Sequence, residues 1–393
     1  MRPTRPASLL VSLVILLTAC DGLGASPGAD PSSINSSEAG EQVGAEDIAK
    51  AESSVNSATE HPGSAQIDQW MAQHEDGPGG VVMVIQSGEI VHQKGYGLAD
   101  VEQGIPITPE TLFHLGSVGK QFTAMGVLML VEEGQVDLDD PISAHIPELD
   151  WMDDGVTVRR LLHHTSGVTG YDDSDEIYDA LLDSAPTPGN EDVVTALSQF
   201  QEMLFEPGEE FYYSNTGYDL LGLLIERLSG QTYAQFMEDY IFAPLGMTQT
   251  FALPSDKRFG PSVAQSYASD GPYEPDVLDS LNGSGSLYST LGDLYLYDQA
   301  LDSEALVSQD LLTEMTTSGT LNNGQETQYG FGVEVDTYGD STYVGHQGSW
   351  LGFDSYYLRF PEASLAIVVL LNLDYAEQDA ETMAFAIADE YLP

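Results

Sequence analysis

The stretch Phe-His-Leu-Gly-Ser-Val-Gly-Lys, residues 113–120, lies where an extended, turn-rich segment passes into apolar residues at helical spacing. This change of period predicts a helix that begins beside Ser117, with Lys120 one turn further along the same face. A serine hydroxyl becomes an effective nucleophile when a neighbouring base takes part in removing its proton, and an adjacent lysine can do so. The helix N-terminus favours negative charge that develops there. The pattern therefore indicates a nucleophilic serine, and a solvated helix N-cap is the alternative.

A second polar group, Tyr213-Ser214-Asn215, stands on a loop that leads into a predicted buried helix over residues 220–228. A tyrosine serves as a general base only if nearby positive charge lowers the pKa of its phenol from about 10. Lys120 is the group that would supply this charge. The Asn215 amide can bond both to the lysine and to a substrate carbonyl. A turn with a buried tyrosine is the alternative interpretation.

A third group, Gly-His-Gln-Gly-Ser at residues 345–349, is expected at the end of a strand. Glycine at position 348 lets a substrate approach the backbone closely. The backbone amides of Ser349 and Ser117 would then form a pair of donors, an oxyanion hole, which stabilises a transition state by several kcal/mol. His346 would orient or protonate a leaving group or bind substrate, although a histidine after a strand is more often structural.

Together these motifs resemble the serine β-lactamase and penicillin-binding protein superfamily. The similar branch contains class C β-lactamases, D-alanyl-D-alanine carboxypeptidases, D-aminopeptidases and related esterases. Residues 161–167, Leu-Leu-His-His-Thr-Ser-Gly, are similar to a further segment of that branch, although we interpret Thr165 and Ser166 as structural. The resemblance covers residues 65–393 and implies one hydrolase domain.

The resemblance implies an acyl-enzyme mechanism. Ser117 would attack a carbonyl, Lys120 and Tyr213 would manage the protons, and the Ser117 and Ser349 amides would hold the oxyanion before water releases the acyl group. The residues that the resemblance implies as substrate-binding or supporting are Asn215, His346 and Gly348. A small-molecule or peptide substrate is implied, with no metal and no organic cofactor.

One departure from the family pattern narrows the function. Class C β-lactamases carry Lys-Thr-Gly at the third motif, whereas this chain has His346-Gln347-Gly348. A histidine there is similar to the carboxypeptidase, aminopeptidase and esterase members, and it is largely uncharged near neutral pH. The predicted function is therefore a serine hydrolase that cleaves an ester or amide, including a peptide that contains D-amino acids. The alternatives are a true β-lactamase and a non-catalytic sensor or binding module.

Two other enzyme classes fit less well. An α/β-hydrolase needs a Gly-x-Ser-x-Gly elbow, and none of the candidate serines has glycines on both sides at that spacing. The adjacent His163 and His164 are candidate zinc ligands, which would make the protein a zinc enzyme. Neighbouring histidines on a chain seldom point at one ion, however, and the sequence contains no His-Glu-x-x-His motif.

The charge of the chain is strongly negative, with 11 Lys and Arg against 63 Asp and Glu and a net charge of −52. This balance excludes nucleic-acid binding, because phosphate contacts need basic residues. The acidic residues are dispersed along the chain, so they repel one another at ordinary ionic strength. At about 1 M salt the screening length falls to about 3 Å and the repulsion largely disappears. We therefore expect a protein from a salt-loving organism that works outside the cytoplasm.

The N-terminus is expected to be a targeting segment. Residues 1–20 combine two arginines with a short apolar run and end in Leu-Thr-Ala-Cys, which resembles a bacterial lipobox. Cys20, the only cysteine of the chain, would carry the lipid. Residues 21–64 are rich in small and acidic residues and predict a flexible tether. The prediction is an extracytoplasmic protein anchored to the membrane through Cys20, with the oligomeric state left open.

The remaining pattern predicts an α+β fold, an α/β sandwich with an antiparallel sheet flanked by helices and a mostly helical region inserted. Ile67, Trp70 and Met71 predict an amphipathic helix, and an acidic stretch at residues 172–190 is expected to be mobile. The predicted strands are 81–85 and 90–93, joined as a hairpin, then 329–335, 342–345, 353–360 and 365–371. Two further helices are predicted at 288–301 and 376–391.

Overall fold

The computed structural model describes residues 62–392 apart from residues 261, 375, 377 and 378. The predicted signal, the lipid-attachment site at Cys20 and nearly all of the predicted tether lie outside the described residues. The first helix, α1, spans Pro62–Met71, so its first turn falls within the segment predicted as tether. Ser64 is buried in that turn, and its hydroxyl lies 3.5 Å from the Tyr391 hydroxyl.

The chain alternates between strands at its two ends and helices in its middle. The strands are β1 (Gly80–Gln86), β2 (Glu89–Tyr96), β3 (Leu98–Asp100), β4 (Ile105–Pro106), β5 (Phe113–His114), β6 (Phe251–Ala252), β7 (Tyr267–Ala268), β8 (Gly271–Pro272), β9 (Leu287–Ser289), β10 (Glu334–Tyr338), β11 (Ser341–Trp350), β12 (Phe353–Phe360) and β13 (Leu365–Leu371).

The helices after α1 are α2 (Lys120–Glu132), α3 (Ile142–His145), α4 (Val158–Leu162), α5 (Asp175–Ser184), α6 (Asn190–Phe200), α7 (Asn215–Ser229), α8 (Tyr233–Met237), α9 (Ala243–Leu245), α10 (Leu291–Leu301), α11 (Gln309–Met315) and α12 (Ala380–Tyr391). Short 3-10 helices cover Ala72–His74, Gly116–Gly119, Pro147–Leu149, Asp256–Phe259, Val277–Ser280 and Pro361–Ala363, and a π-helical turn covers Glu238–Phe242. None of the helices within the described residues is long and apolar enough to span a membrane.

Six strands form one antiparallel sheet in the order β10-β11-β12-β13-β1-β2. Every residue of β13 is buried, which explains its uninterrupted run of apolar side chains. The turn between β1 and β2 consists of Ser87 and Gly88, with φ angles of 54° and 79°. Positive φ at both positions is what a type I′ turn requires, and this two-residue turn matches the twist of the strands. The predicted hairpin is therefore present.

The two faces of this sheet contact different layers. Val82 and Val84 of β1 pack with α1 and α12 in a core that includes Ile67. Val81 and Met83 face the other way, into the larger core formed with the helical region. Successive side chains of a strand point to opposite faces, so one apolar strand serves both cores. Helices α2 and α7 pack together in the helical region. The predicted α+β fold with an inserted helical region is confirmed.

The predicted strand over residues 329–335 is mostly wrong. The strand in this part of the chain is β10, and the preceding five residues, Tyr329 to Val333, are irregular. Gly332 has a φ of 72°, and a Cβ atom there would lie 2.7 Å from the carbonyl group of Lys120. The segment therefore packs against the start of α2, and its backbone turns at Gly332 instead of continuing as an extended strand. This placement brings the ring of Tyr329 next to those of His164 and His346.

The starts of two helices also differ from the sequence prediction. The helix predicted over residues 288–301 begins at Leu291, because the preceding residues form β9 and pair with β5 and β6. The last helix begins at Ala380, where the Asp379 side chain accepts a hydrogen bond from the backbone. The acidic stretch expected to be mobile contains helix α5, which Ser174 caps in the same way.

Candidate active site

Ser117 lies in the 3-10 turn that leads directly into α2, as the sequence predicts. Gly116 precedes it with a φ of 53°, and a Cβ atom at that position would lie 2.6 Å from the backbone nitrogen of Ser349. The turn is therefore pressed against strand β11. This contact places the Ser117 hydroxyl at the surface of a cleft, with the first turn of α2 behind it.

Lys120 is completely buried, and its Nζ has three polar neighbours. They are the Asn215 side-chain oxygen at 2.8 Å, the Ser284 carbonyl oxygen at 2.6 Å and the Ser117 hydroxyl at 3.1 Å. Burial lowers the pKa of Lys120 to about 7, while the charges of Asp219 and Asp172 act in the opposite direction. A neutral amine donates two hydrogen bonds to the two pure acceptors, which leaves its lone pair for the serine hydroxyl proton.

Tyr213 covers the other side of Ser117. The ring centroid lies 4.8 Å from Nζ of Lys120. The residue as a whole is 38% exposed, but its hydroxyl is deep among protein atoms. Burial raises the pKa of Tyr213, and the charges of Glu334 and Asp172 raise it further, whereas a hydrogen bond with Ser117 lowers it. The phenol is therefore protonated in this form, and the lowered pKa that a tyrosine base would need is not found.

Asn215 is the first residue of α7, and Ser214 caps that helix by accepting a hydrogen bond from the Gly217 amide. The Asn215 Nδ2 donates to Asp172 at 2.9 Å, so the orientation of its amide is set and its oxygen faces Lys120. Ser214 and Asn215 therefore start helix α7, and Asn215 also provides a hydrogen-bond acceptor for Lys120.

The third motif lies inside β11 and not at the end of a strand, so that expectation is wrong. Its neighbour β10 pairs only with the first half of β11, and the second half faces the Ser117 turn. A Cβ atom on Gly348 would lie 2.0 Å from the Leu115 carbonyl oxygen and 3.1 Å from the Ser117 nitrogen. This close approach puts the backbone of Ser349 at the cleft beside that of Ser117.

His346 is 3% exposed and is not among the residues that line the cleft. Burial, together with the charge of Lys120, lowers the pKa of His346 to about 3. Nδ1 of the neutral ring donates to the Gln347 carbonyl oxygen, so Nε2 accepts from the Tyr329 hydroxyl at 2.8 Å. Both ring nitrogens are occupied. The structure places this histidine behind Tyr213 as a support, at a ring-centroid distance of 5.9 Å.

Comparison with known proteins agrees with this geometry. The family model described as Beta-lactamase matches residues 67–392. The chain belongs to the beta-lactamase family. This confirms the predicted superfamily and the prediction of a serine hydrolase.

The beta-lactamase-family protein has relatives with several different names. It is 32% identical to a penicillin-binding protein of Bacillus subtilis (strain 168), over 77% of this chain and 69% of that one. It is 29% identical to a D-aminopeptidase of Gluconobacter oxydans (strain 621H), over 81% of this chain and only 60% of the relative. The solved D-amino acid amidase from Ochrobactrum anthropi SV3, complexed with L-phenylalanine amide, matches with a TM-score of 0.68 and 27% identity. That match covers 88% of this chain and 97% of the amidase.

The cleft of this beta-lactamase-family protein contains about 490 Å³ of space, part of which is open solvent. Its carboxylates are Asp172, which is exposed, and Asp279, which pairs with Arg258 at 3.0 Å. Of the described residues that line the cleft, none is Lys or Arg. Lys120 lies beneath the surface and is neutral for much of the time near pH 7. The cleft therefore presents negative charge to a substrate.

Sequence reasoning missed several residues of the site, among them Tyr171, Asp172, Asp219 and Ser284. Ser284 supplies a carbonyl oxygen to Lys120, a role that any residue type can fill and that no side-chain motif signals. Asp219 is buried on α7, where it accepts hydrogen bonds from Tyr171 and Ser284. A charged residue directly before the predicted buried helix over residues 220–228 was the available signal for it.

The adjacent His163 and His164 point to different partners. His163 Nδ1 lies 2.9 Å from the Tyr329 carbonyl oxygen, whereas His164 Nδ1 accepts from the Ser214 amide at 3.1 Å. Thr165 and Ser166 are buried next to them and bond to nearby backbone groups. The segment therefore supports the loop that carries the second motif.

Proposed function

We propose that this protein hydrolyses amides, including peptides, through an acyl-enzyme intermediate on Ser117. The observation that carries the proposal is the buried Lys120 amine, whose two pure hydrogen-bond acceptors leave its lone pair for the serine hydroxyl. Such a base converts an ordinary hydroxyl into a nucleophile without a histidine.

In the first step, the Ser117 hydroxyl gives its proton to Nζ of Lys120 while Oγ bonds to the substrate carbonyl carbon. The carbonyl electron pair moves to the oxygen, and the backbone amides of Ser117 and Ser349 are the donors that would hold it. Backbone donors held by a folded scaffold stabilise a developing charge without reorganisation.

In the second step, the tetrahedral intermediate collapses and the amine leaves. A leaving amine needs a proton, and the protonated phenol of Tyr213 is placed to donate it. The ammonium of Lys120 then returns its proton to the tyrosine oxygen. Water attacks the resulting ester by the same route in reverse, which restores Ser117.

Ser117→Ala tests this scheme. A fluorophosphonate reagent is expected to label the full chain and not this variant, and turnover in the variant is expected to fall at least roughly 10³-fold. Mass spectrometry of the labelled peptide identifies the modified residue. Labelling of the variant to the same extent as the unaltered chain would contradict the assignment, and unlabelled wild-type protein would favour a non-catalytic binding module.

We further propose that the substrate carries a cationic amine near the scissile carbonyl. Asp172 lies at the cleft surface beside Asn215, and the described cleft residues provide no cation that would bind a substrate carboxylate. Opposite charges favour binding by mutual attraction, whereas like charges oppose it. Two relatives, one named a D-aminopeptidase and the other a D-amino acid amidase, support the same class.

The test compares D-alanine p-nitroanilide with its N-acetyl derivative. We expect a higher kcat/KM for the free amine, and we expect Asp172→Asn to remove most of that preference. Asp173→Asn is the matched control, because this neighbour bonds to Tyr212 and does not line the cleft. Equal rates for both substrates in the unaltered chain would contradict the proposed substrate class.

Benzylpenicillin separates the remaining alternatives. A long-lived adduct on Ser117, seen by mass spectrometry, would indicate a site like that of penicillin-binding peptidases. Hydrolysed drug with unmodified protein would indicate a β-lactamase. We expect neither change, because the penicillin carboxylate would approach the charge of Asp172 with no cation at the cleft surface.

We propose in addition that the protein is attached to the outer side of a membrane by a lipid on Cys20. The Leu-Thr-Ala-Cys ending and the small, polar residues that follow support this. Expression in a bacterial host with radiolabelled palmitate is the test. The unaltered chain is expected to take up label and to sediment with membranes, whereas Cys20→Ser should do neither. Label in the variant would refute the attachment site.

A further inference from the structure

Asp219 is a fully buried carboxylate in the second turn of α7 that the proposed reaction has not used. One oxygen accepts a hydrogen bond from the Tyr171 hydroxyl at 2.8 Å, and the other accepts from the Ser284 backbone amide at 3.2 Å. Both donors belong to residues that line the cleft. Asp219 therefore lies behind the cleft surface and holds two of the residues that line the cleft, Tyr171 and Ser284.

Ser284 also connects Asp219 with the catalytic base. Its amide donates to the carboxylate, while its carbonyl oxygen accepts from Nζ of Lys120 at 2.6 Å. The negative charge of Asp219 acts on Lys120 and favours its protonated form. The other titratable groups that face this carboxylate are Tyr171 and, from α8, Tyr233. Asp172 acts on Lys120 from the cleft side.

The loop that carries Ser284 is held against α7 by other contacts. The Asn190 side chain donates to the carbonyl oxygens of Asp219 and Asn282 and accepts from the Asn282 amide. Gly222 lies so close that a Cβ atom there would be 2.3 Å from the Asn282 oxygen. An anchor is thus already present, yet the chain also buries a carboxyl group, and burial raises the pKa of Asp219 to about 6 because the charged form is costly there. The charge itself is therefore the feature that needs an explanation.

We propose that Asp219 is a positioning residue that stabilises the ammonium ion formed on Lys120 when the lysine takes the Ser117 proton. This inference rests on the proposed function. As Oγ of Ser117 bonds to the carbonyl carbon, its proton moves to Nζ, and the carbonyl electron pair moves to oxygen. The new positive charge on Nζ then lies near the negative charge of Asp219. The attraction persists until Lys120 returns the proton to the oxygen of Tyr213.

Asp219→Asn removes the negative charge and keeps the shape of the side chain, so it tests the role of the charge. The amide oxygen can accept from Ser284, and the amide nitrogen can donate to the Tyr171 hydroxyl. Without the negative charge the pKa of Lys120 falls, so we expect the acidic limb of the kcat/KM profile to move to lower pH by about one unit. We expect the plateau above that limb to fall about ten-fold, because a less basic lysine is a weaker general base.

Two further variants keep the test decisive. Glu226→Gln removes a charge from the same helix, two turns beyond Asp219, and is expected to leave the profile unchanged, since Glu226 bonds to the Tyr233 amide away from the cleft. Tyr171→Phe removes a hydrogen bond that favours the charged carboxylate, so it should move the acidic limb in the same direction by less. It replaces the first test if Asp219→Asn does not fold.

The inference is overturned if a folded Asp219→Asn protein has the wild-type profile. It is also overturned if activity falls equally at every pH while the acidic limb stays in place, since that result indicates a purely structural role. Melting temperatures of all three variants establish that folded protein is compared. A wild-type chain that no fluorophosphonate labels would instead refute the proposed function on which the inference rests.

Discussion

Lys120 and Tyr213 meet at Ser117 with opposite protonation preferences, although both are surrounded by the same protein interior. Burial disfavours the charged form of each group, so it lowers the pKa of the lysine and raises that of the tyrosine. A neutral lysine can take a proton and a protonated tyrosine can give one. An environment that lowers the pKa of one group and raises the pKa of another makes the first group the base and the second the acid.

The pH dependence of the reaction follows from Lys120. A protonated lysine has no lone pair, so kcat/KM for an uncharged ester such as p-nitrophenyl acetate should rise as pH increases through about 7. The substrate does not titrate in this range, and stopped assays between pH 5 and 9 report the enzyme alone. An acidic limb near the usual lysine value of about 10 would contradict a buried neutral base.

Tyr213→Phe removes the proposed proton donor and keeps the ring. We expect kcat/KM for an amide to fall roughly 10²–10⁴-fold. The loss should be much smaller for a p-nitrophenyl ester, whose leaving group departs without a proton. Tyr212→Phe is the control, since Tyr212 is 45% exposed and bonds to Asp173. An equal loss for ester and amide would argue against proton donation.

At the scale of elements, the site depends on the contact between strand β11 and the turn that carries Ser117. Gly348 makes the contact possible, because a Cβ atom there would lie 2.0 Å from the Leu115 carbonyl oxygen. Backbone atoms cannot rotate away as a flexible side chain can. The strand and the turn must therefore separate if any other residue stands at this position.

Gly348→Ala is expected to reduce kcat/KM by at least about 10²-fold, because a misplacement of about 1 Å in a catalytic geometry has effects of that size. The matched control is Gly292→Ala in α10, where the nearest atom to a new Cβ is 3.9 Å away. That change should stabilise the protein by about 0.5–1 kcal/mol, since alanine favours helix over glycine. Differential scanning calorimetry and steady-state kinetics measure both effects, and an active Gly348→Ala protein would contradict the argument.

At the scale of the whole molecule, negative charge far exceeds what the ion pairs balance. Five Lys and Arg residues of the described chain form ion pairs with carboxylates, among them Arg227 with both Glu148 and Glu191. The exposed pairs among them, such as Lys94 with Asp68, contribute little, about 0–1 kcal/mol each. The chain as a whole carries a net charge of −52, so repulsion outweighs these attractions.

We propose on this basis that the protein is adapted to high salt. Raising NaCl from about 0.1 M to about 1 M shortens the screening length to about 3 Å, so the melting temperature should rise. Each ~1 kcal/mol of relieved repulsion raises the melting temperature by about 2 °C in a large domain. Sucrose is the control, since it favours the compact state without screening charge. A melting temperature that does not change with NaCl would refute the proposal.

Much of the fold could be predicted from local patterns. Strands β12 and β13 have the predicted bounds, and the hairpin of β1 and β2 has the predicted turn. Alternation of side chains and the turn residues Ser87 and Gly88 are local signals, which explains this agreement. The segment from Tyr329 to Val333 was mispredicted, because its apolar residues suit a strand while its position is set by the close approach of Gly332 to Lys120.

By itself, the sequence determined the three motifs and their family. Each motif consists of the residue types that the chemistry needs, a few positions apart, around Ser117, Tyr213 and His346. Only the tertiary structure decided which groups these residues meet. It placed a backbone carbonyl and a buried carboxylate behind Lys120, and it turned His346 away from the cleft. Burial and contacts between residues distant in the chain set protonation states, and spacing along the sequence does not encode them.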